Sequence, residues 1–203
     1  MAFSDSDRHR GLRVTSAKIV VAGGFGVGKT TLVGAVSEIP PISTDEWMTT
    51  AAGGVDGAPA APGKTRTTVG MDFGRITVAG DLVLYLFGTP GQARFWPLWD
   101  DLSHGASAAV VLVDSRRLQE GFPAVNYFDV DSDVPYVVAV NLFDGVRHHR
   151  PDAVREALRL PARVPLVACD ARDRRSVLHV LVAALRHTQA TRAPRPAGAA
   201  APA

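Results

Sequence analysis

The chain has 203 residues, which is enough for one α/β domain with a substantial core. Lysine and arginine total 22 against 20 for aspartate and glutamate, and no dense basic stripe is present, which argues against a nucleic-acid-binding protein. No stretch approaches the ~18 apolar residues of a membrane-spanning helix, which argues against an integral membrane protein. The single cysteine, Cys169, suits a reducing compartment.

Residues 1–14 are polar and predict a flexible N-terminal arm. A buried strand is then predicted by the β-branched run Lys18–Ala22, and it leads into the sequence GGFGVGKT at residues 23–30. This sequence matches G-x-x-x-x-G-K-S/T, the phosphate-binding loop, and residues 30–36 can open the helix that must follow it. In such a loop the backbone amides form an anion nest, the lysine reaches the β- and γ-phosphates, and the hydroxyl can ligate Mg²⁺. The predicted phosphate-binding residues are Gly23, Gly26, Val27, Gly28, Lys29, Thr30 and Thr31.

Residues 39–66 are rich in Pro, Thr, Gly and Ala and predict a mobile, ligand-responsive loop. Residues 68–78 and 82–87 predict two strands joined by a tight turn, so that one edge strand of the sheet is antiparallel. If the turn centres on Gly80, Asp72 lies directly opposite Gly88. Asp72 would then either help to hold Mg²⁺ or merely solvate an edge strand, and the sequence leaves both interpretations open.

Beyond the hairpin, buried strands are predicted at 108–113, 135–140 and 164–169. Helices are predicted at 118–128, where Pro123 could interrupt the helix, at 151–160, and after Asp173. The Ala/Pro-rich residues 190–203 predict a disordered tail. This order predicts an α/β P-loop NTPase domain over residues 15–189, with a doubly wound, six-stranded, mostly parallel sheet.

Ligands of such sheets bind beyond the carboxyl ends of the strands. Three segments follow strand ends here: Gly88-Thr89-Pro90-Gly91-Gln92, Asn141-Leu142-Phe143-Asp144 and Asp170-Ala171-Arg172. Together with the phosphate loop, they resemble the motifs of Ras-like small GTPases, which read D-T-A-G-Q, N-K-x-D and S-A-K. The resemblance extends over residues 18–188 and implies a Ras-like fold.

For the base, the resemblance implies that Asn141 and Asp144 bind guanine. A carboxylate at Asp144 can accept hydrogen bonds from the ring N–H and the exocyclic amine of guanine, and adenine offers no such pair of donors. Ala171 would contact the guanine oxygen through its backbone N–H. Leu142 replaces the lysine of the motif and could keep only its packing against the base.

For the phosphates and the metal, the resemblance implies that Gly91 offers its N–H to the γ-phosphate and that Gln92 orients the attacking water. Thr68 resembles the threonine of switch I, which binds Mg²⁺ and the γ-phosphate. Lys29, Thr68 and Gln92 are therefore the predicted catalytic residues, and Thr30, Thr68 and Asp72 are the predicted metal-site residues. The aspartate of the D-T-A-G-Q motif is absent, because Gly88 takes its place.

The wording of the motifs, with GGFGVGKTT, LFGTPGQ and NLFDG, is most similar to the small GTPases of bacterial conservons. The resemblance implies a cytoplasmic signalling switch beside a roadblock-domain protein and a sensor-kinase-like protein, with any membrane recruitment through such partners. Phe25 is bulky for its position and would crowd an activating arginine, which favours slow GTP hydrolysis; Arg66 and Arg94 are candidates for such an arginine within the chain. Two other functions stay open: an ATP-using P-loop enzyme and a non-hydrolysing GTP-binding scaffold.

An aromatic patch follows the Gly88–Gln92 segment and consists of Phe95, Trp96, Leu98 and Trp99. It allows two interpretations, core packing and docking of a partner, and the sequence favours neither.

Overall fold

The computed structural model describes residues 15–40, 42–43, 71–79, 81–92 and 95–192. The predicted arm at 1–14, most of the predicted loop at 39–66, Thr68, and nearly all of the predicted tail lie outside the described residues. At its start the tail prediction is wrong, because the last helix continues through Arg192.

The centre of the fold is a seven-stranded sheet with the order β2-β3-β4-β1-β5-β6-β7. The strands are β1 Thr15–Ala22, β2 Ile42–Ser43, β3 Asp72–Ala79, β4 Leu82–Gly88, β5 Ala108–Asp114, β6 Tyr136–Asn141 and β7 Leu166–Cys169. β3 is antiparallel to both of its neighbours, and the other pairs are parallel. The predicted P-loop NTPase architecture is confirmed. The two-residue β2 adds a seventh strand, so the antiparallel strand β3 lies one place inside the edge.

The described residues also form five α-helices: α1 Lys29–Val36, α2 Leu98–Ser103, α3 Phe122–Asn126, α4 Pro151–Ala157 and α5 Arg174–Arg192. The helix predicted at 118–128 is divided into a 3₁₀ turn at Leu118–Gly121, α3, and a π turn at Tyr127–Asp131. Pro123 lies in the first turn of α3, where its missing N–H costs nothing, and this explains why the α segment starts there.

Each face of the sheet covers its own hydrophobic core. Because side chains alternate along a strand, Ile19 and Val21 of β1 pack with α1 and α5, whereas Val20 packs on the other face with Trp99 and Phe128. The aromatic patch is divided in the same way. Trp99 is 2% exposed and belongs to the core, as the packing interpretation predicts, whereas Trp96 remains 40% exposed.

Parallel pairing brings the carboxyl ends of β1, β4, β5, β6 and β7 to one edge of the sheet. Val21 pairs with Gly88, and Asp114 pairs with Asn141, which pairs with Cys169. The phosphate loop and the three motif segments therefore emerge side by side, which is the arrangement that a binding site in this fold requires. None of the described helices combines the length and apolarity that a bilayer crossing demands.

Candidate functional site

The loop between β1 and α1 is built on glycines that no other residue could replace without strain. Gly23, Gly26 and Gly28 have φ values of +146°, +69° and +104°. A Cβ atom on Gly23 would collide with the carbonyl oxygen of Leu112, and one on Gly28 would lie 2.8 Å from Nδ2 of Asn141. The loop therefore curls tightly between neighbouring strands and delivers its last residues into the start of α1.

Lys29 is folded back into this curl. Its side chain is buried, and Nζ donates hydrogen bonds to the carbonyl oxygens of Gly23 at 2.9 Å and Gly24 at 2.7 Å. Burial lowers the pKa of Lys29 to about 8, against the opposing influence of the Asp72 charge. The loop thus holds the ammonium of Lys29 against two of its own carbonyl oxygens.

A carboxylate from the hairpin lies beside the first helical residues. Asp72 is directly opposite Gly88 in the β3–β4 register, as predicted, with a register shift between Thr77 and Ala79 near the turn. It is 3% exposed, and its Oδ2 accepts a 2.6 Å hydrogen bond from the Thr30 hydroxyl. A Cβ atom on Gly88 would be 3.0 Å from both Cβ and Oδ2 of Asp72, so the bare glycine makes room for the carboxylate.

An open cavity of about 340 Å³ joins these groups to the segment after β4, and its lining includes Lys29, Thr30, Asp72, Gly91 and Gln92. Gly91 contacts the phosphate loop closely: a Cβ on it would be 2.8 Å from both Nζ of Lys29 and Cα of Phe25. Most of the predicted phosphate and metal residues that the structure describes therefore line one cavity, whereas Gly23 and Val27 do not line it.

Asn141 ties the phosphate loop to the turn after β7. Its buried amide donates from Nδ2 to the Val27 carbonyl at 2.9 Å and accepts at Oδ1 from the Ala171 N–H at 3.1 Å. The sequence predicted that Asn141 and Ala171 contact the base, and in this structure both groups are engaged with each other. Asp144 follows in the 3₁₀ turn Phe143–Gly145, and its side chain lies outside the described part of the chain.

A charged cluster that no sequence motif predicted lies at the end of β5. Asp114 accepts hydrogen bonds from Arg116 at 2.9 Å (Nε) and 2.7 Å (Nη2), and from Arg117 Nε at 3.4 Å. Burial raises the pKa of Asp114, but the hydrogen bonds and charge of Arg116 outweigh it and leave that pKa below its usual value. The Arg116 guanidinium also lies 3.9 Å from the centre of the Phe143 ring, which braces the turn that carries Asp144.

Metal binding here would rely on few protein ligands. Among the described residues no group of three or more His, Cys, Asp or Glu side chains could hold a metal ion. Mg²⁺ needs no such group, because it keeps several waters and takes one or two protein oxygens together with substrate phosphates. The Thr30 hydroxyl and the Asp72 carboxylate beside the cavity fit that requirement.

Comparison with known proteins agrees with the geometry of the loop. A profile for a family described as conserved hypothetical ATP binding protein matches residues 21–191. The chain belongs to this family. Its matched region begins within β1 and includes the phosphate loop and all three motif segments. A search of the curated proteins gives no match.

Solved structures share the fold. The GDP form of the cytosolic domain of the T. maritima FeoB iron transporter has a TM-score of 0.60 and 16% identity, over 87% of this chain and 64% of that one. GDP-bound NFeoB of S. thermophilus has a TM-score of 0.59 and 20% identity, over 90% of this chain and 65% of that one. The G domain of T. maritima FeoB has a TM-score of 0.54 and 16% identity, over 82% of this chain and 99% of that one. The chain thus spans slightly less than two thirds of the first two structures. Fold, loop and family together identify a nucleotide-binding P-loop protein.

Proposed function

We propose that this protein is a guanine-nucleotide switch that binds GTP and GDP with Mg²⁺ and slowly hydrolyses GTP to GDP. The observation that carries the proposal is the Asn141 bridge, with its bonds to Val27 and Ala171. The bridge anchors the turn from Asn141 to Asp144 beside the phosphate loop, where the base of a nucleotide with its phosphates in that loop would lie.

The base preference rests on Asp144. Its carboxylate would accept two hydrogen bonds from guanine, and an adenine in the same place would leave it without donors. Arg116 stacks on Phe143 and is itself held by Asp114, which supports a fixed position for this turn. A site built on hydrogen bonds rejects a ligand that lacks the matching groups more strongly than an apolar site would.

The phosphates would be held by the loop amides and Lys29, with the Gly91 N–H and Gln92 on the γ-phosphate side of the cavity. Mg²⁺ would be held by Thr30, and when bound it would neutralise charge on the phosphates. The Thr30 hydroxyl donates its proton to Asp72 and therefore turns its lone pairs away from that carboxylate, towards a metal. Thr68, outside the described residues, remains the proposed switch I ligand.

As a switch, the protein would act in the cytoplasm of a bacterium and pass its nucleotide state to a roadblock-domain protein and a sensor-kinase-like protein. The exposed Trp96 and Leu98 support a docking role for the segment after Gln92, because large exposed apolar side chains beside a nucleotide site suit a partner surface.

An ATP-binding function is the second candidate, since the family description names ATP. The replacement of the motif lysine by Leu142 also favours it, because one contact expected for a guanosine nucleotide is absent.

Competition against a fluorescent GDP analogue separates the two candidates. GTP and GDP should displace the analogue at least about 100-fold more effectively than ATP, a modest ratio for a site with dedicated hydrogen-bond acceptors. Asp144→Asn should shift the preference to xanthosine nucleotides, since xanthine presents a carbonyl where guanine has an amine. Equal displacement by ATP and GTP would refute the guanine assignment and leave the ATP-binding function.

A further inference from the structure

Arg117 lies directly on the phosphate loop, although no motif contains it. The 3₁₀ turn after β5 packs over the loop so closely that a Cβ on Gly24 would be 2.9 Å from Cβ of Glu120. Nη2 of Arg117 is 3.9 Å from the point where a Cβ on Gly26 would lie. The contact follows from the sheet order, because β1 and β5 are neighbours and their carboxyl ends emerge together.

A second cavity, of about 240 Å³, connects this arginine to the nucleotide site. Its lining includes Phe25, Gly91, Trp96, Arg117 and Glu120. Phe25 and Gly91 also line the phosphate cavity, so these two residues form a shared wall. Gly91 in turn approaches Lys29, with 2.8 Å between its ideal Cβ position and Nζ. The cavity that Arg117 lines therefore lies next to the cavity that Lys29 lines, with Phe25 and Gly91 between them.

The arginine is held by weak contacts. Nη1 pairs with Glu120 at 3.0 Å, and Nε is 3.4 Å from Asp114. The side chains of Arg117 and Glu120 are 42% and 37% exposed, and exposed pairs of this kind contribute about 1 kcal/mol or less. Asp114 would still be paired with Arg116 if Arg117 left. Release of Arg117 therefore leaves no buried carboxylate without a cation.

We propose that Arg117 is a catalytic arginine of the chain itself, held back by Glu120 and moved onto the γ-phosphoryl group during hydrolysis. The inference rests on the proposed function. Water attacks the γ-phosphorus, and the bond from that phosphorus to the β–γ bridging oxygen breaks. The electron pair of this bond goes to the β-phosphate of GDP, and the proton of the water goes to the released inorganic phosphate. The guanidinium stabilises the charge on the bridging oxygen and the γ-oxygens.

The pair with Glu120 accounts for the expected slow turnover of the isolated protein. While Glu120 neutralises Arg117, Lys29 is the one cation among the described residues that line the phosphate cavity. A planar, doubly donating guanidinium suits phosphate oxygens better than an ammonium would. Arg66 and Arg94, the arginines that the sequence suggested for this role, lie outside the described residues.

Single-turnover GTP hydrolysis by the full chain tests the assignment. Glu120→Ala should raise the rate about 10-fold or more, within the range of up to 10³–10⁵ that an arginine can supply. Arg117→Ala/Glu120→Ala should return the rate to the wild-type value or below, and Arg117→Lys/Glu120→Ala should lie between. Arg186→Ala is the matched control, because it removes an exposed arginine far from the site. Arg186 lies on α5 close to Thr188, whose hydroxyl bonds to Ser107 at the opposite, amino edge of the sheet.

Trapping of GDP with aluminium fluoride, a mimic of the transferring phosphoryl group, gives a second measurement. Glu120→Ala should trap the complex, and the double alanine variant should not, while GDP affinity stays within about threefold of wild type in both. Equal rates and equal trapping in the two variants would overturn the arginine assignment and leave nucleotide binding intact. Loss of GDP affinity in step with the rate would also overturn it, because Arg117 would then only brace the loop.

Discussion

Replacement of Asp72 by alanine removes the carboxylate that holds the Thr30 hydroxyl at 2.6 Å. We expect this variant to fold normally and to lose Mg²⁺-dependent retention of nucleotide. The hydroxyl would rotate freely without its acceptor, and a metal ligand that is no longer oriented binds more weakly. The usual D-T-A-G-Q carboxylate cannot compensate, because Gly88 stands in its place.

The size of the effect follows from the geometry. Loss of a group that orients a metal ligand typically lowers metal affinity by about 10- to 100-fold, which corresponds to about 1.4–2.8 kcal/mol. Folding should change less. The lost charged hydrogen bond would cost about 1.5–3 kcal/mol, and removal of a carboxylate that is 3% exposed relieves a desolvation penalty of similar size. The free energy of unfolding should therefore stay within about 1 kcal/mol of wild type.

The assay is the release rate of a fluorescent GDP analogue, chased with excess GDP across a Mg²⁺ titration. Asp72→Ala should need about 10- to 100-fold more Mg²⁺ to slow release to the wild-type rate. Asp81→Ala, which removes an exposed carboxylate at the other end of the same hairpin, should match wild type.

A second variant tests the geometry itself. Gly88→Asp, added to Asp72→Ala, returns a carboxylate from the opposite residue of the neighbouring strand and should restore most of the lost retention. Gly88→Asp alone should weaken retention, because its Cβ would lie 3.0 Å from Oδ2 of Asp72. Superimposable Mg²⁺ curves for wild type and Asp72→Ala would refute the reasoning, and so would a failure of the second carboxylate to restore any retention.

Three further predictions concern the loop and its support. The affinity for GDP, measured by titration calorimetry, should fall about 10-fold from pH 7 to pH 9, because the pKa of Lys29 is about 8 and only its ammonium form attracts phosphate. Lys29→Met should lack this pH dependence. Asn141→Ala leaves a buried carbonyl and a buried N–H unpaired and should lower the free energy of unfolding in urea by about 2–4 kcal/mol, whereas exposed Asn126→Ala should have no measurable effect. Gly23→Ala should lower the free energy of unfolding by about 3 kcal/mol, because its Cβ would collide with Leu112 and its backbone would be strained. The control Gly105→Ala should lower it by about 1–2 kcal/mol, because φ is +69° there but the space around the Cβ is open. Similar values for the two variants would contradict the collision.

The sequence predicted those parts of the fold whose signal is local. β1, β5 and β6 are continuous apolar runs because their central residues are buried on both faces of a parallel sheet. The position of Asp72 opposite Gly88 was predicted for a turn centred on Gly80. In the structure the pair Ala79–Leu82 beside the turn is one residue out of that register, and a shift between Thr77 and Ala79 brings the rest of the hairpin into it. β2 has two residues, which is too short for an alternation of apolar and polar side chains, so no sequence pattern could predict it.

For the functional site too, the sequence predicted the parts whose signal is local and missed the parts that depend on distant residues. The phosphate loop is one contiguous motif, and it was found. The bridge that Asn141 makes could not be predicted, because its partners Val27 and Ala171 lie 114 and 30 residues away along the chain. The pair of Arg117 and Glu120 belongs to an irregular turn, where charges give no periodic signal. An aspartate that closes a buried strand, followed by two arginines, was the one available indication.

The position of Lys29 implies that different parts of the molecule control the association rate and the dissociation rate of the nucleotide. Lys29 is 8% exposed and its ammonium is already bound to two loop carbonyls, so it contributes little to drawing a nucleotide in from a distance. Its contribution begins only after phosphate has displaced those carbonyls, and the same exchange must be reversed before phosphate can leave. The lysine therefore acts on the residence time, and the encounter rate is left to residues at the rim of the site.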